Sequence, residues 1–479
     1  MHKIVAGLFL VVALSAASFA PTTRAQTGSS VNTHATSSSA FPSEAPNTLR
    51  AGPMVGDVDM HNASIWLLTE RPGAVEVEFW PLQPGAMAAQ GPSNTANNPT
   101  RRVRLQTDTR VAPGTAIARL TGLEAGQAYG YRVWVDGRQQ DPILSFRTHA
   151  RWQFRQGVNT PDVRVMFMSC TYINDAPRDR DGGPYGGDFE VFSVMAQAKP
   201  DLTVWMGDNV YYRENDYTSA EGMAHRWRQD RALPELQPLL RTGRHVATWD
   251  DHDYGPNDAN SSFTLKGAAL DIFKRQWANR SWGLPEVPGV FGSFLESDIE
   301  FFLLDNRYHR DSDRDKDNPD KTMLGAAQLR WLKNALLAST ATFKVIVSGS
   351  QVLNDPQRFE GWHNFRTERD GFLKWLQDNA IRGVVITSGD RHHTELLRLP
   401  RAGTYPLHEL TCSPTTAGAG RNAKPEHPAI HVPGTFVNQR NFCTMDVVGT
   451  RGQRTLTLRS FDVKGKEQWS HSLREQDLR

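Results

Sequence analysis

Apolar residues fall into three regimes along the chain. The first is one stretch, IVAGLFLVVALSAASFA, which follows Met1-His2-Lys3 and ends at Ala20. A short basic start, an apolar run and small residues predict a secretory signal peptide over residues 1–25. A membrane anchor is the alternative, although the run sits at the short limit for spanning. The leader has no twin arginine, so the general secretion route fits and the expected location is secreted or periplasmic. Residues 26–48 are rich in Ser, Thr, Asn and Ala and predict a flexible linker. In the second regime, SIWLLTE, AVEVEFW, TRRVRLQTD, TAIARLTGL and GYRVWVD alternate apolar and polar positions, with Pro, Gly and Asn clusters between them. That period of two predicts antiparallel strands in a small β-sandwich over 49–149. The third regime starts at Val163. Its near-continuous apolar runs are VRVMFMSC, LTVWMGD, HVATWDD, IEFFLLD, FKVIVSG and GVVITSGD. They alternate with helical patterns such as DFEVFSVMAQAK, AALDIFKRQWAN, AAQLRWLKNALL and ERDGFLKWLQDNA. Strands buried on both faces, interleaved with helices, predict an α/β layered domain over 155–479.

Composition narrows the function classes. At 479 residues with 39% hydrophobic and 22% charged, the chain is neither largely disordered nor a single small core. The net charge of +2 gives no nucleic-acid footprint. Removing residues 1–25 takes away Lys3 and Arg24 and no acid, leaving a formally neutral chain with no other run long enough to cross a bilayer. Three cysteines are too few for a disulfide scaffold. There is no phosphate-cradling Gly-rich loop and no Ser-His-Asp order at a nucleophile elbow.

The chemistry gathers where the apolar runs end. Their exits read Ser169-Cys170, Gly207-Asp208-Asn209-Val210-Tyr211, Asp250-Asp251-His252-Asp253, Asp305-Asn306-Arg307, Ser348-Gly349-Ser350-Gln351 and Gly389-Asp390-Arg391-His392-His393. One such acid is commonly a helix cap. Six coincident exits carrying acids and histidines call for a cation that pairs the carboxylates and takes neutral imidazole nitrogen. The acidic run HRDSDRDKDNPDK (309–321) lacks the turn glycine and closing Glu of a calcium loop and reads as a solvated loop. The segment around Glu360-Gly361-Trp362 reads either as an aromatic rim or as core.

Together these segments resemble the PhoD branch of the calcineurin-like metallophosphoesterases. GDNVYY is similar to that branch's GD-x-x-Y segment, TWDDHDYGPND to its W-D-D-H-acid block, and FFLLDNRYHR to its LD-x-R-x-Y-R strand, with His309 in place of Tyr. MLGAAQLRWL, SGDRHHTEL and ELTCSPTT match its LG-x-x-Q-x-x-WL, SGDRH and E-L-x-x-SP blocks. The resemblance spans roughly residues 163–447. It implies a four-layer α/β/β/α metallophosphoesterase domain behind an Ig/fibronectin III-like sandwich, in which Leu123, Tyr129 and Tyr131 are core and corner residues. It implies Fe3+ and Ca2+ as cofactors, held by Cys170, Asp208, Tyr211, Asp251 and Asp390, with His392 in the shell or just outside it. Asp208 is the bridging ligand. His252 is the implied acid or oxyanion stabiliser, Arg307 and Arg391 fork onto phosphate oxygens, and Asn209 adds a neutral donor. The implied activity is that of a phosphate-ester hydrolase of alkaline phosphatase D type. A phosphodiesterase or phospholipase D-like preference is the alternative, and a binding protein with a vestigial site is the reading from a different class. Substrates would be phosphate-ester small molecules or phosphodiesters. Cys170 has a plain structural reading as a buried core thiol, and Cys412 and Cys443 are left free to pair with each other.

Overall fold

The computed structural model describes residues 45–479, apart from 84, 86–90, 92–98, 180, 356–358 and 421–422. The expected signal peptide and linker residues 26–44 lie outside the described residues. Among the described residues, seven strands precede residue 150: β1 (Leu49–Val58), β2 (Ala63–Thr69), β3 (Ala74–Pro81), β4 (Arg101–Gln106), β5 (Thr115–Leu120), β6 (Ala128–Val135) and β7 (Arg138–Arg147). The five alternating runs became β2 to β6. Beyond them, β8 (Val163–Met168), β9 (Leu202–Met206), β10 (Arg244–Thr248), β12 (Ile299–Leu303), β13 (Phe343–Val347) and β14 (Val384–Ser388) occupy the six apolar runs. The chain adds β11 (Gly292–Glu296), β15 (Glu395–Leu399), β16 (Leu407–Thr411) and a closing meander of β17 (Asn441–Val448), β18 (Thr455–Asp462) and β19 (Glu467–Arg474). The described helices are α1 (Val191–Gln197), α2 (Ala220–Arg231), α3 (Gln237–Leu240), α4 (Asp251–Tyr254), α5 (Lys266–Gln276), α6 (Ala326–Ala338) and α7 (Arg366–Asp378).

Two large sheets carry the molecule. One runs β19-β18-β17-β8-β9-β10-β1-β2-β5, the other β11-β12-β13-β14-β16-β15. Side chains alternate across a strand, and that alternation assigns the layers. Val165 and Phe167 of β8 enter a cluster with Phe301, Val345 and Val385, which lie side by side on one face of the second sheet, whereas Met166 and Met168 face a different cluster with Phe192, Trp227 and Phe273 of α1, α2 and α5. Leu332 and Leu336 of α6 and Phe372 and Leu376 of α7 repeat at i, i+4 and cover the second sheet's other face. The order is therefore helices, sheet, sheet, helices. The Cys412–Cys443 bond joins the exit of β16 to β17, and so ties the two sheets together.

The N-terminal strands differ from the expected self-contained sandwich. β4-β3-β6-β7 form their own sheet. Its Val75, Val77, Tyr131 and Val133 share an apolar cluster with Ile65 and Leu67 of β2 and Ala118 of β5. Leu123, Tyr129 and Tyr131 are buried, and the Tyr129 hydroxyl accepts from the Glu124 amide at 2.8 Å. The other half, β1-β2-β5, does not stand apart. β1 pairs in parallel with β10, matching Val55 to Arg244, and continues the nine-stranded sheet.

Within each large sheet the central strands are parallel: β8, β9 and β10 in one, β12, β13, β14 and β16 in the other. Their carboxyl ends carry all six exits.

Candidate metal centre

Left-handed backbone aims the exits. Cys170, Asp208, Asp390 and His392 have φ of 54°, 52°, 68° and 52°. Such values are uncommon outside Gly, Asn and Asp, and four of them at strand ends turn the chain so that side chains which would continue along the sheet converge instead. Gly207 precedes one of these turns at φ 102°, and a Cβ there would lie 2.7 Å from the Asp250 Cβ. A Cβ on Gly349 would meet the Asp250 Cγ at 2.6 Å, so the glycines of two exits make room for the acid of a third.

Other motif residues lock this frame without entering it. The Gln328 side chain bonds both backbone groups of Asp305, accepting from its N–H and donating to its C=O, each at 2.8 Å. Trp249 donates to the Asp305 carboxylate at 2.8 Å. Glu409 is fully buried and accepts from the amides of Val352 and Leu353 and from the Ser388 hydroxyl.

Cys170, Asp208, Tyr211 and His392 meet at one point. The Tyr211 hydroxyl donates to Asp208 Oδ2 at 3.0 Å and lies 3.1 Å from His392 Nε2. Cys170 Sγ lies 3.5 Å from the same Asp208 oxygen and 3.0 Å from the Ser413 hydroxyl. Cys170, Asp208 and His392 offer donor atoms within 4.8 Å of one another, and so do Asp208, Asp251 and His252. Asp208 belongs to both groups. The His252 ring stacks on Tyr211 with centroids 4.2 Å apart, and its backbone N–H donates to Asp208 Oδ1 at 3.3 Å.

The residues fit a metal on grounds of charge. Burial drives the Asp208 carboxyl well above its usual range, and the carboxylates of Asp251, Asp250, Asp253 and Asp390 drive it further. Burial likewise pushes the Cys170 thiol up, followed by Asp208 and Asp390. Asp251 Oδ1 and Asp390 Oδ2 are shielded from solvent without a hydrogen-bond partner. Among the described residues, the ion pair that reaches Asp208, Asp251 or Asp390 is Arg307 at 3.9 Å from Asp251. Buried anions in this number need a counter-ion that the side chains do not supply.

Three expected phosphate-binding groups lie elsewhere. Arg307 is fully buried, its Nε donating to Asp250 at 2.6 Å and its Nη1 to Glu360 at 2.7 Å, so its fork is spent on protein carboxylates. Arg391 pairs with Glu426, which Asn354 also holds at 2.9 Å. Asn209 spends its Nδ2 on the Thr248 carbonyl and the Asp253 carboxylate, leaving a buried Oδ1 without a partner. The atom it has left is an acceptor, which suits a cation and not a phosphate. Glu360 and Glu426 gave no signal in the sequence as arginine partners, because both sit in loops far along the chain from Arg307 and Arg391. Trp362 is buried and donates to Glu368, which places that segment in the core. In the 309–321 loop, Arg310 pairs with Asp313, and Lys321 donates to the carbonyls of Asp313, Asp315 and Asn364. His393 is buried against Glu395 at 3.1 Å.

Comparison with known proteins agrees with this geometry. Residues 291–466 match the family model described as PhoD-like phosphatase, and residues 46–150 match a domain of unknown function, DUF7800. Alkaline phosphatase D of Bacillus subtilis (strain 168) is 25% identical over 320 residues, which are 57% of this chain and 52% of that protein. The chain thus matches about half the length of that curated relative. A solved structure of PhoD superposes with a TM-score of 0.67 at 19% identity, covering 88% of this chain and 91% of the other. A purple acid phosphatase from yellow lupin (Lupinus luteus) seeds superposes at 0.62 with 12% identity, covering 88% and 74%. Over residues 291–466 by sequence, and over most of its length by fold, the chain is similar to the PhoD-like phosphatases.

Proposed function

We propose that the chain is a secreted, metal-dependent phosphoesterase of alkaline phosphatase D type. The observation that carries this reading is the convergence of Cys170, Asp208, Asp251, Asp390 and His392 with orphaned carboxylate oxygens and too few cationic side chains. Cys170, Asp208, Tyr211 and His392 form one donor set, mixed in sulfur, oxygen and nitrogen, which suits Fe3+. Asp208 and Asp251 meet beside His252, and Asp390 meets Asp250 and Glu360; the carboxylate oxygens of Asp208, Asp251 and Asp390 would suit Ca2+ as the second ion. Such a pair of cations, when bound, supplies positive charge for the phosphoryl oxygens and acidifies the attacking water.

The remaining work falls to the protein. Asp208 faces both donor sets and fixes their spacing. His252 stacks its ring on Tyr211, the planes 30° apart, beside Asp208, where an imidazolium can pass its proton to the leaving alkoxide. Arg307 holds the Asp250 and Glu360 side chains in place through its hydrogen bonds, and so braces the Asp251 exit from behind. The buried tyrosine corner at Tyr129 and the cluster shared by the N-terminal strands favour an Ig/fibronectin III-like sandwich over 49–149, followed by the catalytic region over 155–479. A basic and apolar leader over 1–25 favours export. Among the described residues, no helix is long and apolar enough to cross a membrane.

The test is a chelated sample reloaded with Fe3+ and Ca2+, with metal content measured alongside a phosphomonoester and phosphodiester panel. Hydrolysis that returns with metal supports the reading. A reloaded protein that cleaves neither ester class overturns it.

A further inference from the structure

His392 presents two ring nitrogens to two different tyrosines. Nε2 faces Tyr211 inside the donor set, and Nδ1 lies 3.0 Å from the hydroxyl of Tyr185. Tyr185 is 43% exposed and stands among glycines, in the segment GGPYGG, so nothing in its local sequence suggests a fixed position. The structure nevertheless holds it firmly. Asn174 bonds both the N–H and the C=O of Gly186, at 2.9 and 2.7 Å. Arg440 donates to the Tyr185 carbonyl at 3.1 Å, and the Gly187 amide donates to Thr416 at 3.1 Å. The Tyr185 ring meets Tyr172 edge-on at 4.9 Å. On its other side lies Gly418, where a Cβ would approach the ring's Cε2 to 2.8 Å. The glycine leaves the space that the phenol occupies.

We infer that Tyr185 is a positioning residue for His392: its hydroxyl engages Nδ1 and so turns Nε2 toward Asp208 and Cys170. A hydroxyl can accept from an Nδ1–H or donate to a bare Nδ1, so it holds the ring in either tautomer. When Nε2 binds a cation the proton must sit on Nδ1, and Tyr185 accepts it. A partner on the far nitrogen of a ligating histidine fixes the ring's direction and raises its basicity. Carboxylates and backbone carbonyls commonly take this place. Here a phenol takes it from an exposed loop, with the Gly418 backbone as a second partner of the ring.

This inference rests on the reading of His392 as a ligand, and its test separates the two. Tyr185→Phe keeps the ring between Tyr172 and Gly418 and removes only the hydroxyl. Gly418→Ala keeps the hydroxyl and displaces the ring. Iron and calcium retention against graded chelator, kcat and KM on one phosphomonoester, and the imidazole 15N resonances of His392 in metal-free protein are measured for each. We expect unchanged thermal stability for Tyr185→Phe, metal loss at about tenfold lower chelator, and a kcat reduced about tenfold with KM unchanged. The His392 15N shifts should move in the metal-free protein, and Gly418→Ala should reproduce the phenotype. Tyr185→Phe with wild-type 15N shifts and wild-type metal retention overturns the inference. A wild type that binds no metal, with 15N shifts that still respond to Tyr185→Phe, overturns the functional reading and supports the ring contact.

Discussion

Two buried groups of acids lie in this molecule and solve the same problem differently. Around Arg226, the carboxylates of Asp175, Asp216 and Asp230 sit 3.1, 2.8 and 3.2 Å from one guanidinium that is itself fully buried. Around Asp208, the acids approach one another and the nearest guanidinium is engaged by Asp250 and Glu360. Acid content does not distinguish the two groups, and neither does burial. The distinction lies in whether the fold places a cation at the centre. Where it does, the cluster is a fastening. Where it does not, the cluster is, on the function proposed above, a receptor for a cation from outside.

Removing the central residue should therefore act differently at the two places. The largest effect is expected for Asp208→Ala, which takes an oxygen from both donor sets. Its kcat/KM should fall by about a thousandfold or more, since metal charge supplies several kcal/mol of transition-state stabilisation. Metal analysis should find both ions lost, while the metal-free variant unfolds at a temperature no lower than metal-free wild type. A metal-free variant that melts well below wild type would make the cluster a fastening after all.

Next in size is Arg226→Met. Stripping the cation from its three acids should destabilise the fold by about 3–5 kcal/mol in urea, with metal content and kcat of the folded fraction preserved. His252→Asn should follow, lowering kcat about a hundredfold without loss of metal. Metal loss in that variant would move His252 into the donor set and enlarge the receptor.

At neutral pH the smallest effect concerns a third solution, burial in the neutral form, which shows only as the medium is acidified. His245 accepts from Trp205 Nε1–H at Nδ1 and donates from Nε2 toward the Leu239 and Thr242 carbonyls, each at 3.1 Å. A second proton has no acceptor there. Burial, and then Arg231, lower its pKa to about 3. The unfolded chain protonates near 6.5 while the folded one does not, so stability is full above that pH. It is lost as pH falls from 6.5 toward 3, by up to about 1.4 kcal/mol per pH unit. His245→Gln should flatten this part of the stability–pH curve. An unchanged slope would mean that other groups carry the acid limb.

Much of this architecture could be read from the chain because strands buried on both faces leave continuous apolar runs, and six such runs ended in chemistry. Asp208, Asp251, Asp390 and Cys170 were legible as exits before their geometry was known. β1 was not, since Gly52 and Pro53 break its pattern and its partner β10 lies some two hundred residues away. The closing meander carries polar positions at every other residue and gives no chemical marker. Arg307 and Arg391 were legible as arginines at exits but not as spent arginines, because Glu360 and Glu426 reach them from irregular loops. Tyr185 was silent for the same reason.

The left-handed turns at Cys170, Asp208, Asp390 and His392 also bear on how such a site drifts over generations. Side chains tolerated there with least strain are Gly, Asn and Asp. Asn and Asp are themselves oxygen donors, so at Asp208 and Asp390 the backbone filters substitutions toward residues that keep some affinity for a hard cation. Cys has no such standing there, so at position 170 the same filter works against the thiol, while His392 belongs to a residue type that enters the left-handed region more readily than most.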